Sequence, residues 1–142
     1  MAIQQTTPDQ AKSLLDSDPN AIYVDVRSIP EFTQGHAKGA INIPLLHMQG
    51  GQMTPNPDFQ KVAQAVLSKD KTLLVGCKMG GRSQRASEIL NSLGYEKVFN
   101  VDGGFGGNEH QPGWKDLGLP VSSDNGDGVG YETLVARAKA AP

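Results

Sequence analysis

The stretch "LLVGCKMGGRSQRASEIL", residues 73–90, places the chain's only cysteine between an apolar run and a helical pattern. The run that ends at Gly76 is typical of a buried strand. After two glycines, Ala86, Ile89 and Leu93 fall on one helical face. The stretch therefore predicts a buried strand, a tight turn that starts at Cys77, and a helix.

The sequence on both sides of this stretch continues the alternation of strands and helices. "AIYVDV", residues 21–26, and "EKVFNVDGG", residues 96–104, are further strand candidates, and helices are expected near the N-terminus, after Pro57 and at the C-terminus. This alternation predicts an open α/β sheet with mostly parallel strands, in which ligands bind outside the carboxyl ends of the strands. Cys77 lies at such an end. Residues 102–130 are rich in glycine and lack periodicity, so a long loop is expected there.

Length and composition limit the classes of protein that fit. A chain of 142 residues is expected to form one domain, with a monomer as the default state. The net charge of −2 lacks the basic surplus of a nucleic-acid-binding protein, and no apolar run is long enough for a membrane span. A single cysteine cannot form an intramolecular disulfide, which favours a reducing, cytoplasmic location.

The turn after the strand suits a cysteine nucleophile. The thiolate is the reactive form, and a free cysteine with a pKa of about 8.5 is only slightly ionised at neutral pH, so activation needs nearby positive potential. Backbone N–H groups at Gly80 and Gly81 and the N-terminus of the following helix can supply it. Lys78 and Arg82 add two formal charges. Cys77 is therefore the candidate catalytic residue.

The same loop is suited to hold an anion. Arg82 carries a planar fork of donors that matches oxyanions, and Lys78 acts as a point charge. Two roles are open for Ser83, capping the helix or donating into the anion site. The alternative is that Cys77 is an inert core thiol in an ordinary turn, which the charged neighbours disfavour. The predicted binding residues are Lys78, Met79, Gly80, Gly81, Arg82 and Ser83.

Three blocks of the chain, in order, resemble the single-domain rhodanese family of sulfurtransferases. They are "VDVRSIPEFTQGHAKGAINIP" at 24–44, the stretch at 73–90 with its C-x-x-G-x-R-S pattern, and "VFNVDGGFGG" at 98–107. The resemblance covers residues 6 to about 121 and implies a three-layer α/β/α domain with a central five-stranded, mostly parallel sheet. Residues 122–142 lie outside it and are expected to form a glycine-rich loop and a helix.

The resemblance implies a two-step sulfur transfer. Cys77 would take the sulfane sulfur of an anionic donor such as thiosulfate, and the resulting persulfide, held by the loop, would pass it to cyanide or a thiol. By family analogy a thioredoxin-like protein is the expected thiol acceptor. The resemblance implies neither a metal nor an organic cofactor.

Two other functions remain open within the family. Members that act as phosphatases or arsenate reductases have a loop longer by one residue, C-x5-R, whereas Cys77 and Arg82 give C-x4-R. The shorter loop is similar to that of the sulfurtransferases. Other members are non-catalytic modules that bind a partner, and these often lack the cysteine that this chain retains.

Several residues outside the loop have both a structural and a functional interpretation. Asp25 and Arg27 are supporting residues, either as an ion pair that ties the strand to a loop or as charges on the site's rim, and the resemblance favours the first. His36 is expected to be structural. Trp114 is expected to be a packing anchor or a lip over the site. It follows the glycine pair later than is usual in the family, which makes residues 105–114 a candidate specificity loop or a tolerated surface insertion.

Overall fold

The computed structural model describes residues 3–140, with side chains through residue 139. The predicted strand, turn and helix around Cys77 are present. The helices are α1 (Pro8–Ser17), α2 (Ile29–Gln34), α3 (Phe59–Val66), α4 (Gly81–Ser92) and α5 (Tyr131–Ala140). The strands are β1 (Gln4–Thr6), β2 (Ala21–Asp25), β3 (His36–Ala37), β4 (Ile41–Asn42), β5 (Leu46–Gln49), β6 (Gln52–Pro55), β7 (Thr72–Gly76), β8 (Val98–Val101) and β9 (Val121–Ser122).

Five strands form one parallel sheet in the order β1-β8-β7-β2-β4. The central strands β2 and β7 pair from Ala21 with Thr72 to Asp25 with Gly76. This confirms the prediction of a central, mostly parallel five-stranded sheet. Residues 77–82 follow β7 and include the turn into α4, and we call them the cysteine loop. Because all the strands run the same way, the ends of β2 and β7 bring Asp25 close to the start of this loop.

Helices cover both faces of the sheet. Along β7, Leu73 and Val75 belong to one apolar cluster and Leu74 belongs to another, as alternation along a strand requires. The first cluster includes residues of α3, α4 and α5, and the second includes residues of α1 and α2. The sheet is therefore the middle of three layers, as the resemblance implied.

The glycine-rich region contains one element that the sequence did not predict. Val121–Ser122 forms β9, which pairs antiparallel with His36–Ala37, and the N–H of Lys38 donates to the Pro120 carbonyl at 3.0 Å. Two residues are too few to show a period, so the expectation of a long loop region over 102–130 did not include this short strand.

The C-terminal helix packs back on the domain. Tyr131 and Leu134 of α5 are buried in the first cluster, and the Tyr131 hydroxyl accepts a hydrogen bond from the Asn56 amide at 3.0 Å. Residues 1, 2, 141 and 142 of the predicted domain lie outside the described residues. Over residues 3–140, no helix has the length and apolar composition needed to cross a bilayer.

Candidate active site

The cysteine lies directly after β7 with its sulfur in contact with a backbone donor. Cys77 is 2% exposed, and its Sγ accepts a hydrogen bond from the Gly80 N–H at 3.1 Å. Gly80 has a φ of 132° and immediately precedes α4, so a residue with a side chain would be strained at this point. A core thiol would be equally buried, but a backbone N–H directed at the sulfur is what a site for an anionic sulfur requires.

The glycine-rich segment after β8, residues 102–108, holds the peptide groups of the cysteine loop in one orientation. Three consecutive loop carbonyls accept hydrogen bonds from this segment. The pairs are Cys77 with Phe105 at 2.8 Å, Lys78 with Gly106 at 2.8 Å, and Met79 with Gly103 at 3.2 Å. No described peptide bond is cis, so each carbonyl points opposite to the next residue's N–H. The N–H groups of residues 78, 79 and 80 therefore point away from the segment, and that of Gly80 reaches the sulfur.

Gly104 makes this close approach possible. A Cβ atom at this position would lie 2.2 Å from the Cys77 carbonyl oxygen, and its φ is 50°. The Asn108 side chain adds a donor to the Met79 carbonyl at 2.9 Å. The glycine pair was recognisable as part of the family resemblance, but its contact with the loop depends on the three-dimensional path of residues 102–108.

The Arg82 guanidinium is bound by Glu31 of α2. Its Nη1 and Nη2 donate to the two carboxylate oxygens at 2.7 and 3.0 Å. Burial opposes the charge of Glu31, but hydrogen bonds from Arg82 and Ser28 outweigh it and lower its pKa to about 2. The hydrogen bond to Glu31 likewise raises the pKa of Arg82. The planar fork that was expected to match an oxyanion is thus directed at Glu31.

Asp25 and Arg27 form a buried ion pair. This is the arrangement that the structural interpretation of these two residues describes. Arg27 donates to both Asp25 oxygens at 2.7 to 3.0 Å and also to the Gly35 carbonyl at 2.7 Å. Its guanidinium lies 4.5 Å from the centre of the Phe105 ring. The Phe105 N–H in turn donates to the Cys77 carbonyl, so Phe105 connects the ion pair to the cysteine loop.

Ser83 has neither of the roles that the sequence left open. Helix α4 begins at Gly81, so Ser83 is already inside the first turn and cannot cap it. Its buried hydroxyl lies 2.5 Å from the Asn100 amide oxygen and 3.1 Å from the Gly80 carbonyl. Ser83 therefore connects α4 to β8.

Two further residues are structural. His36 is buried, stacks on Phe32 with 3.6 Å between ring centres, and lies 2.8 Å from the Phe32 carbonyl through Nδ1. Trp114 is 1% exposed, donates from its indole N–H to the Pro120 carbonyl at 2.6 Å and packs edge-on against Tyr23. It is a packing anchor rather than a lip.

Two cavities border the cysteine loop. One of about 440 Å³ is lined by Arg27, Glu31, Lys78, Phe105 and Lys115, and we call it the cationic cavity. The other, of about 630 Å³, has mainly apolar walls that include Leu45, Phe59 and Ile89, with Arg82 and the exposed Arg85 among its polar residues.

Comparison with known proteins identifies the class that this fold and loop define. The family profile described as "Rhodanese-like domain" matches residues 7–109, which is more than half of the chain. The chain belongs to the rhodanese-like domain family.

Individual relatives agree with this class. The chain is 37% identical over 101 residues to "Thiosulfate sulfurtransferase 16, chloroplastic" of Arabidopsis thaliana, covering 71% of this chain and 79% of that protein. It is 38% identical over 97 residues to "Protein HIGH ARSENIC CONTENT 1, mitochondrial" of the same plant, covering 68% of this chain and 54% of the relative. The crystal structure of Rv0390 from M. tuberculosis matches with a TM-score of 0.71 and 26% identity, covering 87% of this chain and all of that one. Relatives that are named thiosulfate sulfurtransferase support membership of a sulfurtransferase family.

Proposed function

We propose that this protein transfers a sulfane sulfur from thiosulfate, or a similar anionic donor, to cyanide or a thiol through a persulfide on Cys77. The observation that carries the proposal is the 3.1 Å contact between the Gly80 N–H and the Cys77 Sγ, in a loop whose carbonyls are turned away from the sulfur. The four-residue spacing between Cys77 and Arg82 and the family membership support it.

In the first step the Cys77 thiolate attacks the outer sulfur of thiosulfate. A bond forms between Sγ and that sulfur, and the sulfur–sulfur bond of thiosulfate breaks with its electron pair leaving on sulfite. One thiolate and one thiosulfate dianion become one persulfide anion and one sulfite dianion, so charge and atoms balance. Splitting the transfer into two displacements is covalent catalysis.

The loop is built to hold the negative charge of the persulfide. The N–H groups of Lys78, Met79 and Gly80 lie on the side away from the glycine-rich segment, and the N-terminus of α4 contributes a partial charge of about +0.5. These dipoles are fixed before the reaction, because the three loop carbonyls are already hydrogen-bonded elsewhere.

In the second step the acceptor attacks the outer sulfur of the persulfide. Cyanide binds that sulfur and leaves as thiocyanate, while the persulfide's sulfur–sulfur bond breaks and its electron pair regenerates the Cys77 thiolate. A thiol acceptor takes the same sulfur and becomes a persulfide itself. A thioredoxin-like protein is the thiol acceptor that we propose. A monomeric state and a cytoplasmic location remain predictions.

The test is formation of thiocyanate from thiosulfate and cyanide, with Cys77→Ser as the matched control. We expect turnover by the natural chain and background rates from the variant, and equal rates would refute the proposal. Because one relative's name refers to arsenic, arsenate reduction and phosphoester hydrolysis are measured in parallel. Turnover of either that exceeds sulfur transfer would favour the oxyanion function. Tight partner binding with no turnover would favour a non-catalytic module.

A further inference from the structure

The peptide group that contacts the sulfur is bound at its other end by a side chain. The Gly80 N–H that donates to the Cys77 Sγ at 3.1 Å shares its peptide bond with the Met79 carbonyl. Within residues 3–139, this carbonyl accepts two hydrogen bonds, from the Gly103 N–H at 3.2 Å and from the Asn108 Nδ2 at 2.9 Å. In the same range, the two preceding loop carbonyls accept one each. The peptide at the sulfur is therefore the most firmly held of the three.

The Asn108 amide is itself fixed in one orientation. Its Oδ1 accepts hydrogen bonds from the N–H groups of His110 and Gln111 at 2.8 and 2.9 Å, and its Nδ2 also donates to the Asp102 Oδ1 at 2.9 Å. A peptide N–H only donates, whereas a carbonyl and an ionised carboxylate only accept, so these contacts allow a single assignment of the amide oxygen and nitrogen. The donor to the Met79 carbonyl is therefore held in place by the turn that follows it.

A hydrogen bond to a peptide carbonyl acts on the N–H at the other end of the same peptide. It polarises the group, which strengthens the hydrogen bond that the N–H donates by about 10–30%. It also limits rotation of the peptide plane. An N–H directed at the Cys77 sulfur stabilises the anionic forms of that sulfur relative to the neutral thiol. Loss of the Asn108 donor is therefore expected to disfavour the anion.

We propose that Asn108 is a positioning residue for the chemistry of Cys77. By donating to the Met79 carbonyl, it orients and polarises the peptide whose N–H contacts the sulfur. The inference rests on the proposed function for its catalytic consequence, since the same N–H would hold the persulfide anion. Asn108 lies between the glycine pair and Trp114, so one side chain of this long connection takes part in the site.

The test measures the ionisation of Cys77 itself. Because the chain has one cysteine, the ultraviolet absorbance of the thiolate, corrected with the matching Cys77→Ser chain, reports this residue alone. Asn108→Leu keeps the number and branching of the side-chain heavy atoms and removes the donor without adding charge. We expect it to raise the pH at which half of the thiol is ionised by about 0.3–0.7 of a pH unit.

A second variant separates the lost donor from the lost turn. Asn108→Asp keeps an oxygen that accepts from His110 and Gln111, but it loses the donor and adds a negative charge. It should raise the midpoint further than Asn108→Leu does. Added salt should reduce only the part of this increase that comes from the charge.

Asn91 provides the matched control for both variants. It is also half-buried and donates to a backbone carbonyl, that of Tyr95, at 3.0 Å. It lies ten residues after the start of α4, which is about 15 Å along the helix and beyond the Debye length of about 8 Å. Asn91→Leu and Asn91→Asp should leave the midpoint unchanged.

The formal charges around Cys77 are the same in Asn108→Leu as in the natural chain, so they do not produce its shift. The ionisable residues of the cysteine loop, the glycine-rich segment and the elements packed against them include Tyr23, Asp25, Arg27, Glu31, Lys78, Arg82 and Asp102.

Equal midpoints for Asn108→Leu and Asn91→Leu would overturn the inference. A lower melting temperature of Asn108→Leu with an unchanged midpoint would do the same, because that is the result of a merely structural role. If Asn108→Leu does not fold, the increase that Asn108→Asp retains at high salt decides, and an increase that salt abolishes would overturn the inference. Failure of the proposed function gives a different result, namely no thiocyanate from the natural chain, and the midpoints remain measurable because the titration needs no turnover.

Discussion

Arg82 and Glu31 join the cysteine loop to helix α2 through a two-point ion pair, with nitrogen–oxygen distances of 2.7 and 3.0 Å. Glu31 lines the cationic cavity and Arg82 lines the apolar one. The pair therefore lies between the two cavities that reach the loop. It pairs the arginine for which the sequence predicted an anionic substrate.

The first prediction concerns the pH dependence of stability. The pKa of Glu31 is about 2 in the folded protein, below its usual 4.5, so its contribution is complete above about pH 4.5 and is lost as the pH falls toward 2. Glu31→Gln should lower the free energy of unfolding at pH 7 by roughly 1 kcal/mol, a value reduced for partial solvent exposure. The difference from the natural chain should disappear between pH 4.5 and 2.

Denaturant unfolding at several pH values measures this difference, with Glu96→Gln as the control because Glu96 is exposed and forms no ion pair within residues 3–139. A constant difference between Glu31→Gln and the natural chain from pH 7 to pH 2 would show that the ion pair does not stabilise the fold.

The second prediction concerns the close contact at Gly104. Gly104→Ala should destabilise the fold by about 2–4 kcal/mol, because the added Cβ meets the Cys77 carbonyl in addition to the strain of a positive φ. Gly50→Ala is the matched control, since Gly50 has a similar φ of 57° with nothing within 4 Å of its Cβ position. Thermal unfolding compares the two variants. Equal losses of stability would mean that only backbone strain matters at Gly104.

The third prediction concerns packing at the end of β7. An added Cβ at Gly76 would lie 2.1 Å from the Tyr23 hydroxyl, and Tyr23 is only 1% exposed, so Gly76→Ala should cost about 1–3 kcal/mol. Adding Tyr23→Phe removes the oxygen and should restore part of the loss. Unfolding of both single variants and the double variant gives the coupling energy. Purely additive losses would contradict the contact.

The fold was largely predictable from the sequence because its signals are local. The apolar run before Cys77 and the helical spacing after it predicted β7 and α4, although α4 begins at Gly81, before Ser83, which the sequence offered as its cap. The two-residue strand β9 was missed because its pairing with β3 depends on the path of the loop between them.

The candidate site was only partly predictable. Composition of the loop identified Cys77 as the nucleophile to test, and the turn glycines as the source of an N–H directed at it. The partner of Arg82 could not be deduced, because Glu31 lies 51 residues earlier and is brought close only by the packing of α2.

The most direct test of the central claim is the mass of the peptide that contains Cys77 after the protein has reacted with thiosulfate. We predict an addition of about 32 Da, one sulfur atom, on Cys77. The addition should disappear when cyanide is supplied and should not form in Cys77→Ser. An unchanged mass at Cys77, or a sulfur that cyanide does not remove, would contradict the account.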